Sequence, residues 1–163
     1  MGYGADVLAK GLPSGGAYYQ MLKALCNQHF RVPAPDPEAY WRRVAAMTPG
    51  ERAFLLTNEM LGEVCNGGFE QYFLNTGYMR AHETVRALIL IGATKKAELL
   101  LRAVQIARIP DPLPPDYEYF VECEEPEACT AALNQIDREF YKDKESITDL
   151  MVDYLKKHPE EFA

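Results

Sequence analysis

Thr48-Pro49-Gly50-Glu51, followed by apolar Ala53, Leu56, Met60, Leu61 and Val64 and closed by Asn66-Gly67-Gly68, is the stretch whose reading decides the fold. Threonine offers an N-cap, proline fits the first helical position, and glutamate three residues after the threonine completes a capping box. The apolar residues recur at helical spacing, so one face of this helix is an inner stripe. Two adjacent glycines each cost a helix about 1 kcal/mol relative to alanine, which marks a deliberate break. Phe69 to Leu74 reads as another short helical stretch, closed by Asn75-Thr76-Gly77.

The same periodicity extends outward in both directions. Tyr18, Met21, Leu22, Leu25 and Cys26 predict a helix over 17–30, and Asp36 caps a short one through Trp41 to Met47 with Pro37 at its first position. The prolines of Val32 to Pro37 exclude helix there. Arg80 to Gly92 reads as a central helix, and Ala97, Leu100, Leu101 and Val104 mark the next, up to Arg108. Ile109 to Pro115 is a stiff connector of polyproline character, and Tyr117 to Cys123 an extended or irregular segment. Cys129, Ala132, Leu133, Ile136 and Phe140 form one further stripe, and Ile147, Leu150, Met151, Tyr154 and Leu155 the last. The expected architecture is all-α: a single-domain helical globule of about seven helices over 17–163, behind a flexible, Gly-rich tail at 1–16.

Length and composition agree with a folded globule. The chain has 163 residues, of which 48% are hydrophobic and 25% charged, which excludes a disordered chain. No apolar run approaches the roughly 20 residues that span a bilayer, and the first residues do not form a signal peptide. Cys26, Cys65, Cys123 and Cys129 match no zinc spacing and contain no CxxC, so buried reduced thiols and a cytoplasmic protein are expected.

Net charge is −7, which disfavours direct contact with nucleic acid. Met1 to Pro110 holds 12 Lys and Arg against 9 Asp and Glu, whereas Asp111 to Ala163 holds 5 against 15. Such asymmetry points to a polarised surface. Conventional catalytic and cofactor patterns are missing: there is no GxxxxGK[ST] or GxGxxG loop and no GxSxG setting for Ser14 or Ser146. His29, His82 and His158 lack a partner four residues away that would form a two-histidine metal pair. The expectation is therefore no enzyme, no cofactor and no metal, with no membrane partner.

Asn66-Gly67-Gly68-Phe69-Glu70-Gln71 admits two readings. In one, Asn66 and Gly67 end a helix, Phe69, Tyr72 and Phe73 anchor the next, and Glu70 and Gln71 satisfy loose backbone groups. In the other, Asn66, Glu70 and Gln71 line a polar pocket of a small-molecule-binding or enzymatic helical domain, with His82 as a further member. The run Glu63-Val-Cys-Asn-Gly-Gly-Phe-Glu-Gln-Tyr-Phe-Leu-Asn-Thr-Gly77 resembles the signature of the DNA mimic protein nineteen family. The likeness continues through Ala87-Leu-Ile-Leu-Ile-Gly-Ala93, Ala97-Glu-Leu-Leu100, Leu133 to Tyr141 and Tyr154 to Phe162, so that it covers about Ala39 to the C-terminus. What the resemblance implies is an all-helical homodimer whose negative surface binds a DNA-binding protein, a helix-turn-helix transcription factor in the namesake, in place of DNA.

Glu145, Asp149 and Asp153 fall at i, i+4 and i+8 of the expected last helix. They would stand about 6 Å apart along one face, against about 3.4 Å per phosphate along a DNA strand. Glu118, Glu122, Glu124, Glu125 and Glu127 supply more charge, and these eight residues form the expected partner-binding surface. The bland alternative is a solvated face on which Asp153 pairs with Lys156 or Lys157 and Glu145 with Lys142.

Overall fold

Eight α-helices and no β-strand make up the computed structural model, which describes residues 2–33, 35–75, 77–114 and 126–163. In chain order they are α1 (Tyr3–Leu8), α2 (Ser14–His29), α3 (Pro37–Ala46), α4 (Pro49–Leu74), α5 (Ala81–Leu90), α6 (Thr94–Ile106), α7 (Pro126–Lys142) and α8 (Ile147–Lys157). Short 3-10 turns occupy Gly77–Met79 and Pro159–Phe162. The segment Tyr117 to Cys123 lies outside the described residues. Among the described residues, no helix is long and apolar enough to cross a membrane.

Local start signals act where the sequence places them. Asp36 Oδ1 accepts from Ala39 N at 2.6 Å, and Ser146 Oγ caps α8 through Asp149 N at 3.2 Å. The capping box of α4 closes in both directions, Thr48 N donating to Glu51 Oε2 at 2.9 Å and Glu51 N to Thr48 Oγ1 at 3.2 Å. These bonds use donors that a helix cannot satisfy within itself.

The chain divides into two compact units, Met1–Leu55 with Ser146–Ala163, and Leu56–Glu145. In the first, α1 packs on α2 and on the terminal 3-10 turn, and α2 packs on α8. Met21, Leu25, Phe54, Leu155 and Phe162 are fully buried there. Tyr18 stacks on Phe54 at 4.8 Å between centroids, and Phe54 meets Phe162 edge-on at 6.1 Å. Within the expected tail at 1–16, Tyr3–Leu8 forms α1. Gly4 and Val7 of α1 are buried, and a Cβ at Gly4 would stand 2.7 Å from Phe162 Cβ. Tertiary burial against a residue at the far end of the chain orders a segment whose local composition gives no such signal.

The first unit is tied at the start of α4. Glu51, 4% exposed, holds the Tyr3 hydroxyl at 2.5 Å and lies 3.0 Å from His29 Nε2. Glu161 accepts from Gly50 N at 2.5 Å and from the Tyr154 hydroxyl at 2.8 Å, while its carbonyl accepts from Thr48 Oγ1 at 2.7 Å.

In the second unit α6 packs on both α5 and α7 around Phe69, Phe73, Leu88, Leu99, Leu100 and Ile136. Lys96 is buried, donating to the Phe140 carbonyl at 2.6 Å with its ammonium 4.1 Å from the Phe140 ring centroid and 3.3 Å from Asp143 Oδ1. A cation at the end of α7 satisfies its last carbonyls and opposes the helix dipole. The cysteines depart from expectation, since Cys26 and Cys65 are exposed and Cys129 is disulfide-bonded. Cysteine usage therefore gives no support to a reducing compartment.

Burial alone pushes the Glu51 carboxyl up, but the Tyr3 hydroxyl, His29 and Thr48 N–H outweigh it and hold the group below its ordinary value of 4.5. The unfolded chain then binds the proton more readily, so this contribution is present above pH 4.5 and is lost as pH falls through the lowered value. Glu51→Gln is expected to lose about 1–3 kcal/mol at neutral pH, by leaving buried donors poorly matched. Its denaturation midpoint should then fall less steeply than the wild type's below pH 4.5. Parallel acid profiles for the two proteins in a denaturant series would contradict this role.

Candidate functional site

The double glycine divides α4 into two helical pieces, with Gly67 at φ −161° and Gly68 at φ +79°, ψ −175°. Extended backbone at Gly67 suits any residue, whereas the left-handed φ at Gly68 favours glycine. Space adds a second requirement, because a Cβ on Gly68 would stand 2.3 Å from Asp137 Oδ2 and 2.8 Å from Asp137 Cγ. That closeness serves a bond: Asp137 Oδ1 accepts from Phe69 N at 2.9 Å. Asp137, from α7, thus caps the second piece. An unbroken helix would pair the Val64 carbonyl with Gly68 N; here the Tyr141 hydroxyl, one turn beyond Asp137, donates to that carbonyl.

Gln71 folds back over Gly67, where a Cβ would meet its Oε1 at 2.1 Å. Its Nε2 donates to Glu63 Oε2 at 2.9 Å, and Asn75 Nδ2 donates to the same oxygen at 2.9 Å. One carboxylate before the break therefore grips two amides after it. The Gln71 and Asn75 amides hold the Glu63 carboxyl below the usual carboxylate range. Phe69, Tyr72 and Phe73 are buried as anchors, and the Tyr72 hydroxyl lies 3.0 Å from Thr84 Oγ1.

Asn66 is exposed, and Glu70 accepts from Thr130 Oγ1 at 3.3 Å. The loose backbone group expected to be satisfied by Glu70 or Gln71 is satisfied by Asp137 instead. The N–H groups at a helix start point back along the axis, toward α7, whereas the side chains of the first turn project sideways. Burial pushes the Asp137 carboxyl up, the Phe69 N–H opposes it, and the neighbouring Glu70 charge adds to the rise. Two carboxylates of like sign are thereby held beside each other, each turned to a protein donor. His82 is elsewhere engaged, with Nε2 2.9 Å from the Ile109 carbonyl oxygen and Nδ1 3.8 Å from Asp111 Oδ2. Periodicity cannot find Asp137 or Tyr141, because 68 and 77 residues separate each from its partner.

The expected acidic surface is dispersed in role. Glu118, Glu122, Glu124 and Glu125 lie outside the described residues. Glu127 is exposed in the first turn of α7, where an acid suits the helix dipole. Glu145 is not on α8, which begins at Ile147 after its Ser146 cap. It accepts from Lys96 N at 2.8 Å and Lys95 N at 3.2 Å, capping α6 in place of the capless Ala93. The expected row of three on the last helix therefore reduces to two, Asp149 and Asp153. Ser146 and Ser14 hold the Asp149 carboxyl below the usual range, and Asp153 pairs with Lys156 at 3.0 Å.

Gly68→Ala is expected to destabilise the protein by about 1–3 kcal/mol, from the strained φ and the displaced Asp137. Asp137→Ala should cost about 1 kcal/mol through the lost cap. Asp137→Asn keeps an oxygen for Phe69 N without burying a charge, and should match or exceed wild-type stability at neutral pH. Equal losses for the alanine and asparagine variants in chemical denaturation would disprove the capping role.

Neither a curated protein nor a solved structure matches this chain. Residues 45–158, which include the broken helix, its α7 partner residues and all of α8, match the family described as DMP19-like protein. The chain belongs to that family.

Proposed function

We propose that this protein is a non-enzymatic, acidic protein-interaction module that acts in the cytoplasm as a homodimer. It would occupy the DNA-binding face of a DNA-binding protein, with helix-turn-helix regulators as the first candidates. Membership of a family named for DNA mimicry is the observation that carries this reading. Charge distribution supports it. Between Arg108 and Arg138 the sequence has no Lys or Arg, yet it carries Asp111, Asp116, Glu118, Glu122, Glu124, Glu125, Glu127 and Asp137. A run of one sign attracts a basic partner face and steers its approach, an effect that salt screens. Glu118, Glu122, Glu124, Glu125 and Glu127 are its principal contacts, and Asp149 and Asp153 are secondary ones.

The alternative of a small-molecule or enzymatic site at Asn66, Glu70 and Gln71 gains nothing from the geometry, since Gln71 is held by Glu63 and Glu70 by Thr130.

Titration of purified helix-turn-helix regulators against the full chain should give at least one complex that weakens steeply as salt rises and is displaced by that regulator's own DNA site. Reversing Glu118, Glu122, Glu124, Glu125 and Glu127 to lysine together should abolish it. Glu145→Lys should instead lower thermal stability, through the lost cap of α6. A complex that survives the five-fold reversal, or that binds alongside DNA, rules out mimicry through this run.

A further inference from the structure

One grouping remains unused by the interaction surface. His158 ends α8, and the 3-10 turn Pro159–Phe162 follows at once with Glu160 and Glu161. His158 Nδ1 lies 3.5 Å from Glu160 Oε1, and one ligand atom from each of His158, Glu160 and Glu161 lies within 4.8 Å of the other two. Among the described residues, this is the grouping of three or more His, Cys, Asp or Glu able to hold a metal ion. Neighbouring ligand atoms around a tetrahedral zinc ion stand about 3.4 Å apart, so the histidine–glutamate edge already has that length.

We propose that His158, Glu160 and Glu161 form a binding site for a divalent cation of the zinc class. The donor set decides the class. One imidazole nitrogen with two carboxylate oxygens suits zinc, whereas calcium and magnesium favour all-oxygen sets. Three protein ligands leave a fourth position for water. The net charge of the set, with histidine neutral, is −2, which a divalent ion balances.

Two features prepare the site. The His158 ring packs on the Tyr154 ring, with centroids 4.4 Å apart and planes tilted by 33°. Glu161 is held by the Tyr154 hydroxyl at 2.8 Å and by Gly50 N at 2.5 Å. Each of its oxygens keeps a lone pair after accepting one hydrogen bond. Partners of this kind fix the orientation of a metal-bound carboxylate. Tyr154 is thus a positioning residue for two of the three ligands. An ion here would also fasten the terminal turn to the start of α4, since Glu161 bonds both Thr48 and Gly50.

Calorimetric titration of the full chain with zinc chloride, after removal of metals with a chelator, tests the site. The expected result is one saturable event that is lost in His158→Ala and in Glu160→Gln. It should weaken about 10–100-fold in Tyr154→Phe. Glu160→Gln guards against misfolding as a cause, because the Glu160 side chain is 70% exposed. Cobalt(II) substitution should give the absorption of a nitrogen and oxygen ligand set without a thiolate charge-transfer band, which separates this site from Cys26 and Cys65. Absence of saturable binding, equal binding by all four proteins, or a thiolate band each overturns the proposal.

Discussion

A helix that starts inside a protein leaves backbone N–H groups which must find an acceptor or stay unsatisfied away from water. In this chain three such starts are met by carboxylates from far along the sequence. Glu161 serves Gly50 at the head of α4, Asp137 serves Phe69 after the break in α4, and Glu145 serves Lys95 and Lys96 at the head of α6. The separations are 111, 68 and about 50 residues. Each bond therefore fixes a tertiary contact as well as a helix end. Hydrogen bonds to a charged acceptor are the stronger kind, about 1.5–3 kcal/mol, and they here do the work that a serine or aspartate at the N-cap does elsewhere.

This constraint changes how the charge asymmetry reads. Fifteen carboxylates follow Pro110, but Asp137, Glu145 and Glu161 are caps. Asp111, Glu139, Asp143 and Asp153 pair with Arg86, Arg102, Lys96 and Lys156. Part of the imbalance thus serves the fold itself, the acidic end supplying acceptors to helix starts nearer the beginning. Asp116, Glu118, Glu122, Glu124 and Glu125 lie outside the described residues, and the sequence places no Lys or Arg between Arg108 and Arg138. The case for mimicry therefore rests on that run and not on the total.

What was legible in the sequence was whatever local chemistry decides. The Thr48–Glu51 capping box, the Asp36 cap and the break at Gly67-Gly68 all depend on neighbours within four residues, and all are present. Apolar periodicity located the helices because burial follows the same period. The residues that escaped are those whose partners are remote. Asp137 and Tyr141 show in the sequence only as residues next to the stripe members Ile136 and Phe140, and α1 packs against Phe162. Glu145 was misplaced because its spacing to Asp149 and Asp153 suits a helix, while Ser146 starts that helix one residue too late to include it.

The stretch from Glu63 to Asn75 has a physical content of its own. Glu63, Gly67, Gly68, Phe69, Gln71 and Asn75 each have a defined place in the broken helix, and Asp137 and Tyr141 complete it from α7. Glycine, cap and clamp each contribute to this junction, Gly68 and Asp137 through one close contact. The junction is thus an element of the scaffold, and a scaffold does not by itself fix function. The proposed interaction and metal sites lie apart from this junction in the sequence, in the acidic run before α7 and in the terminal turn after α8. In the terminal turn the two demands meet at Glu161, where cap and proposed ligand are the same carboxylate.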